Sequence, residues 1–113
     1  MRPRNHILEE GRAISVARIT QTLESNLSAF SRLDAKVVFD LGEDGAISID
    51  ATVSPPTLSD EPDGAHCTIR ISAENLEKLI DGSLNAMMAY TLGKLKIEGS
   101  MGVAMKVAAL LEE

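Results

Sequence analysis

Four short stretches of this chain alternate apolar and polar residues one by one, and this alternation restricts the fold more than anything else in the sequence. In Lys36-Val37-Val38-Phe39-Asp40-Leu41, one side carries Val37, Phe39 and Leu41. Ile47, Ile49, Ala51 and Val53 alternate with Ser48, Asp50 and Thr52. Ala65, Cys67, Ile69 and Ile71 alternate with His66, Thr68 and Arg70, and Leu95 and Ile97 with Lys94, Lys96 and Glu98. A period of two belongs to a strand, whose successive side chains point to opposite faces. Each run has one polar side, which predicts an antiparallel sheet covered on one face. Gly42-Glu43-Asp44-Gly45 has turn composition and makes the first two strands a hairpin. The segment Ser54 to Gly64 carries Pro55, Pro56 and Pro62, which cannot donate to a ladder, and it reads as a loop.

Helical spacing accounts for most of the remainder. Val16, Ile19, Leu23, Leu27 and Phe30 recur at steps of three and four, which predicts a helix from about Ile7 to about Ser31. Asn5 is placed to cap it, and Glu9 and Glu10 suit the positive end of its dipole. After the third strand, Ser72 is placed to cap a short helix, Ala73 to Ile80, that Gly82 closes. Ser83 is expected to cap a second, carrying Leu84, Met87, Met88 and Thr91 and ending at Gly93. Ser100 is expected to cap a last helix that runs to about Leu111. Only three residues are aromatic, two Phe and one Tyr, so these elements must pack through aliphatic side chains.

The 113 residues suit one domain spanning 1–113. A net charge of −6 argues against nucleic-acid binding, which needs a positive face, and against attachment to membranes by overall charge. The longest apolar-rich stretch, Met101 to Leu111, is much shorter than the roughly 20 residues that cross a bilayer. The N-terminal residues contain no continuous hydrophobic leader, and the single cysteine, Cys67, suits a reducing cytoplasm. Two histidines and one cysteine offer no zinc cluster, and no nucleotide or cofactor motif occurs, so neither metal nor cofactor is expected.

The last predicted helix differs from the others. Nine of its eleven residues from Met101 to Leu111 are apolar, Gly102 and Lys106 being the exceptions. A surface helix is apolar along one stripe; this one is apolar around most of its circumference. The four methionines beyond Met1, namely Met87, Met88, Met101 and Met105, all fall in the same third of the chain. Methionine adapts to irregular contents. Either these side chains fill gaps between helix and sheet, or they surround an apolar ligand, or they form a subunit contact.

The segment from Gly93 to Lys106, Gly-Lys-Leu-Lys-Ile-Glu-Gly-Ser-Met-Gly-Val-Ala-Met-Lys, resembles the hallmark of the sterol carrier protein type-2 domain, the nonspecific lipid-transfer family. Asp63 to Ser72 is similar to the strand that precedes the family's short helices, and Leu79-Ile80-Asp81-Gly82 to its helix exit. The similarity covers about residues 10 to 111. It implies an α+β fold: an antiparallel-rich mixed sheet of four or five strands, helices packed over one face, and an apolar tunnel between sheet and C-terminal helices. It also implies loose binding of fatty acids, fatty acyl-CoA, sterols or phospholipids, with no active site in the domain. Relatives act as carriers, as modules of lipid-processing enzymes, or as accessory factors presenting an intermediate such as a quinone precursor. The prolines of Ser54 to Gly64 argue against the extra short strand the family places there. The chain ends Leu-Glu-Glu rather than in a Ser-Lys-Leu address, which favours a bacterial-type cytoplasmic protein over a peroxisomal one.

The expected lining is the inward set Phe39, Ile49, Ile69, Met87, Met88, Met101, Met105 and Leu110. The expected partners are the lipid and lipid-metabolising enzymes, with at most transient membrane contact; a homodimer is the alternative way to cover the last helix. His66 and Cys67 are adjacent, but strand neighbours face opposite ways, so they form no nucleophile–base pair. Lys36, Arg70, Lys94 and Lys96 share the outward face with Asp50 and Glu98, where cross-strand charge pairing is expected. No arrangement of these polar residues suggests catalysis.

Overall fold

The computed structural model describes residues 16–111. Helix α1 covers 16–25 and is followed by a 3-10 turn, Leu27–Arg32. The elements after it are β1 (Lys36–Asp40), β2 (Ala46–Asp50), β3 (Thr57–Ser59), β4 (Cys67–Ile71), α2 (Ala73–Asp81), α3 (Ala86–Thr91), β5 (Leu95–Gly99) and α4 (Met101–Leu111). The single long helix expected up to Ser31 breaks at Asn26, whose Nδ2 donates to the Thr22 carbonyl at 2.9 Å. Thr22 Oγ1 itself donates to the Arg18 carbonyl at 2.9 Å. Such side-chain bonds compete with the backbone ladder, and the chain tightens into the 3-10 turn. Asn5, Glu9 and Glu10, with their expected capping roles, lie outside the described residues.

The five strands lie in the order β3-β2-β1-β4-β5. All neighbours pair antiparallel except β1 and β4, which are parallel. The register carries one apolar row across four strands: Ile47 opposite Phe39, Phe39 opposite Ile69, and Ile69 opposite Ile97. The helices meet this face, and Val37, Phe39, Ile49, Leu76, Leu79 and Val107 are fully buried beneath them. The alternation read in the sequence thus placed the inward residues within the strands, but not Val53, which lies beyond the end of β2 and is exposed.

Two expectations are corrected. First, Thr57–Ser59 is a strand despite the flanking prolines. Pro55 and Pro56 precede it, so neither removes a donor from its ladder, and a three-residue edge strand pairs with β2 alone. Second, the outward face is not wet throughout. Because β4 runs parallel to β1, the chain must return from the β3 edge to the start of β1, and it does so across the outer face. Ser48 Oγ donates to the Glu61 carbonyl and Lys36 Nζ to the Asp63 carbonyl. The Lys36 amide donates to His66 Nδ1 at 2.9 Å. This strap leaves Val38 and Ser48 buried on the face that the sequence assigned to solvent.

The capping residues were legible with one exception. Ser72 Oγ accepts from the Asn75 amide at 3.1 Å, and Ser100 Oγ from the Val103 amide at 3.2 Å. Asn85, not Ser83, caps α3: its Oδ1 accepts from the Met88 amide at 3.2 Å. Ser83 instead belongs to the turn between α2 and α3, where its amide donates to Asp81 Oδ1 at 2.8 Å. Hydrogen bonds from the Ser83 side chain and then from its amide hold the Asp81 carboxyl below its ordinary pKa of 3.8.

Candidate functional site

Helices α3 and α4 close over the end of the sheet formed by β4 and β5, and a cavity of about 420 Å3 lies between them and the strands. Its floor comes from the alternating strand residues: Phe39 of β1, Ile69 of β4, and Leu95 and Ile97 of β5. Met101, Ala104, Met105 and Ala108 of α4 form one wall; steps of three and four put them on a single stripe. Ala86, Met87 and Tyr90 of α3 form the other, and Leu79 of α2 fills one corner. Alanines at 104, 108 and 109 keep α4 narrow where it faces the sheet, and this leaves room between them.

The wall is overwhelmingly apolar. Its polar residues, among those described, are Asn85 and Tyr90. Asn85 Oδ1 is committed to the α3 cap, which leaves its Nδ2 as the donor at the wall. Among the described residues no charged side chain lines the cavity. It is suited to holding an apolar molecule that has a small polar end.

Five of the eight residues expected at a site lie on this wall: Phe39, Ile69, Met87, Met101 and Met105. Ile49, Met88 and Leu110 do not. Ile49 is fully buried on β2, two strands away from β4, too far across the sheet to reach the cavity. Met88 follows Met87 by one residue, so the helix turns it outward, where it is exposed. Leu110 is nine residues beyond Met101, on the opposite side of α4, and packs against the core. The alanines of α4 were overlooked because they carry little hydrophobic weight, although the three-four spacing from Met101 to Ala108 is a readable signal.

The remaining polar candidates have structural partners. Cys67 is buried, and desolvation raises its thiol above the ordinary 9.0. His66 accepts the Lys36 amide on the other face, so the two groups are kept apart as alternation predicts. Arg70 bridges Asp40 at 3.6 Å and Glu98 at 3.3 Å, the cross-strand pairing expected of the outward face. Among the described residues no group of three or more His, Cys, Asp or Glu could hold a metal ion, and no helix is long and apolar enough to cross a membrane.

A model of the SCP-2 sterol transfer family matches residues 8–112. The chain is 49% identical over 45 residues to peroxisomal multifunctional enzyme A of Dictyostelium discoideum, covering 40% of this chain and 10% of that protein. It is 43% identical over 53 residues to sterol carrier protein 2 of Rattus norvegicus, covering 47% of this chain and 10% of that protein. The matched segment thus spans about a tenth of the length of these curated relatives. The solution structure of the sterol carrier protein domain 2 of Helicoverpa armigera superposes with a TM-score of 0.65 at 26% identity, covering 80% of this chain and 83% of that one. The match over nearly all of the sequence and the shared architecture agree: the chain belongs to the SCP-2 sterol transfer family.

Proposed function

We propose that residues 1–113 form one lipid-binding unit that carries a single elongated apolar lipid, of the fatty-acid or fatty acyl class or a comparable sterol or phospholipid, in the cavity between β4–β5 and helices α3 and α4. The observation that carries this reading is the cavity itself: about 420 Å3, walled by aliphatic and methionine side chains, with Asn85 and Tyr90 as its polar residues among those described.

Energetics point the same way. A dry cavity costs about 24 cal/mol per Å3. Fully enclosed and unfilled, 420 Å3 would cost about 10 kcal/mol; Met87, Met101 and Met105 on its wall are about half exposed, so water reaches it and this figure is an upper bound. Each buried methylene returns about 0.8 kcal/mol, so about a dozen of them offset that cost. A wall of this kind distinguishes poorly between chain lengths, because one methylene changes affinity little. Phe39, Ile69, Met87, Met101 and Met105 are assigned to the acyl chain, and Asn85 Nδ2 and the Tyr90 hydroxyl to its polar end.

Titration with a fluorescent long-chain fatty acid, paired with native mass spectrometry, tests the assignment. Saturable one-to-one binding at micromolar lipid, competed by unlabelled fatty acids of several lengths, is the expected result. Absence of saturable binding overturns it. An accessory role beside lipid-processing enzymes is favoured by one finding, the similarity to a segment of a multifunctional enzyme. Recovery of the protein from cells with enzymes as well as lipid would support that role; recovery with lipid alone would support a carrier.

A further inference from the structure

The two edges of the sheet are built differently. β3, at one edge, is three residues long and follows two prolines, a composition that discourages a further strand. β5, at the other edge, is five residues long, contains no proline and runs in unbroken register with β4. That register decides which of its backbone groups are in use. The Ser100 amide donates to the His66 carbonyl at 2.9 Å, and these two residues continue the pairing of Cys67 with Gly99. Hydrogen-bonded pairs alternate along an antiparallel ladder, so Glu98 and Lys96 exchange bonds with Thr68 and Arg70. The N–H and C=O groups of Leu95, Ile97 and Gly99 therefore point away from β4, and among the described residues no strand lies beyond them.

The side chains of this edge carry their charges in a telling order. Lys96 and Glu98 stand exposed on the outer face, on either side of Ile97. Arg70 takes Oε2 of Glu98 at 3.3 Å, which leaves Oε1 for another cation. Lys96 has Arg70 directly opposite and no ion pair among the described residues. A second β5 laid antiparallel on the first, with Ile97 facing Ile97, sets Lys96 of each copy against Glu98 of the other. Leu95 then faces Gly99, and the outward backbone groups form three hydrogen-bonded pairs, about six bonds in all. Lys96 and Glu98 fall at the positions between those pairs, where side chains approach most closely. Sliding one copy by two residues brings Lys96 against Lys96 or Glu98 against Glu98, and like charges directly opposed are destabilising. The strand is thus complementary to itself in one register.

We infer that β5 is the edge through which two copies of this chain join, antiparallel and centred on Ile97, into one continuous sheet with five strands from each copy. The helices of both copies lie on the same side of that sheet. Ile97 is half-buried in a single copy and belongs to the cavity floor, so each copy borders the other's cavity along β5. Lys96 and Glu98 line no part of the cavity, and the join does not depend on which lipid fills it.

Sedimentation equilibrium of the full chain tests the inference. One short strand gives a small interface, so a dimer is expected at about 100 µM. Lys96→Glu puts four carboxylates across the join and Glu98→Lys four ammonium groups. Each alone should weaken association about 30-fold. An equimolar mixture of the two variants restores opposite charges at both positions and should recover association to within about threefold of the parent. Amide hydrogen exchange reads the edge itself. The Ile97 amide should exchange more slowly as protein concentration rises, whereas the Lys96 amide, already bonded to Arg70, should not change. Both variants should still bind free fatty acid, which separates this test from that of the cavity. A chain that stays monomeric up to about 1 mM, a dimer indifferent to both single variants, a mixture that fails to recover, or an Ile97 amide unaffected by concentration would each overturn the inference. So would a dimer that Met88→Ser or Leu92→Ser dissociates, because the contact would then lie on the exposed helical side.

Discussion

Met105 shows how much a single residue can carry in this molecule. It lies on the cavity wall, yet it is 56% exposed, so the protein's own core does not depend on it. Met105→Trp should therefore fill the space without disturbing the fold. We expect fatty-acid affinity to fall at least about tenfold, with the thermal midpoint within about 2 °C of the parent, as befits a substitution outside the packed core. Fluorescence titration and calorimetry of the same preparation decide it, and unchanged affinity in a folded variant would remove Met105 from the site. At this scale the sequence was informative about direction but not about distance. Alternation indicated that Phe39, Ile49 and Ile69 all point inward, and they do. It carried no information about strand order, which places Phe39 and Ile69 over the cavity and Ile49 away from it. Methionine content singles out Met88 as well, but helical phase turns it outward, where it is exposed.

Where elements join, backbone space decides what the sequence can be. Gly99 ends β5 immediately before the α4 cap at Ser100, with φ +91°. The Ser100 amide donates to the His66 carbonyl at 2.9 Å, which draws the start of α4 onto β4. A Cβ on Gly99 would come within 2.5 Å of that same carbonyl oxygen. Gly99→Ala must therefore move backbone as well as adopt a left-handed conformation, and each is costly. We expect a loss of about 2–4 kcal/mol, seen as a lower denaturant midpoint with an unchanged slope. Ala at Gly82, where a Cβ would meet nothing within 4 Å, should lose only the conformational part. The position was readable as glycine within a recognisable segment, but its cause was not, because His66 is 33 residues away in sequence. The parallel β1–β4 pair escaped for the same reason. It requires the strap that crosses the outer face, and what holds the strap is a set of bonds to Glu61, Asp63 and His66 that no periodicity announces.

Taken whole, the molecule divides into a packed half and an open half. Ile19, Leu23, Phe30, Val37, Ile49 and Leu76 belong to the buried core and line no part of the cavity, whereas Met87, Met101 and Met105 on the cavity wall are exposed. The packed half must supply the stability that the open half forgoes. A lipid that occupies the cavity should restore part of it, because it binds the folded chain and not the unfolded one. At a free concentration a hundred times the dissociation constant, this linkage contributes about 2.7 kcal/mol. For a chain of this length that corresponds to a rise of about 10 °C in the thermal midpoint. Calorimetry over a fatty-acid series should show the midpoint climbing with the logarithm of lipid concentration, and Met105→Trp should cut the rise at a given lipid concentration by about half or more. A midpoint that stays still while lipid binds would mean that the lipid associates with folded and unfolded chains alike. The cavity would then not be where it resides.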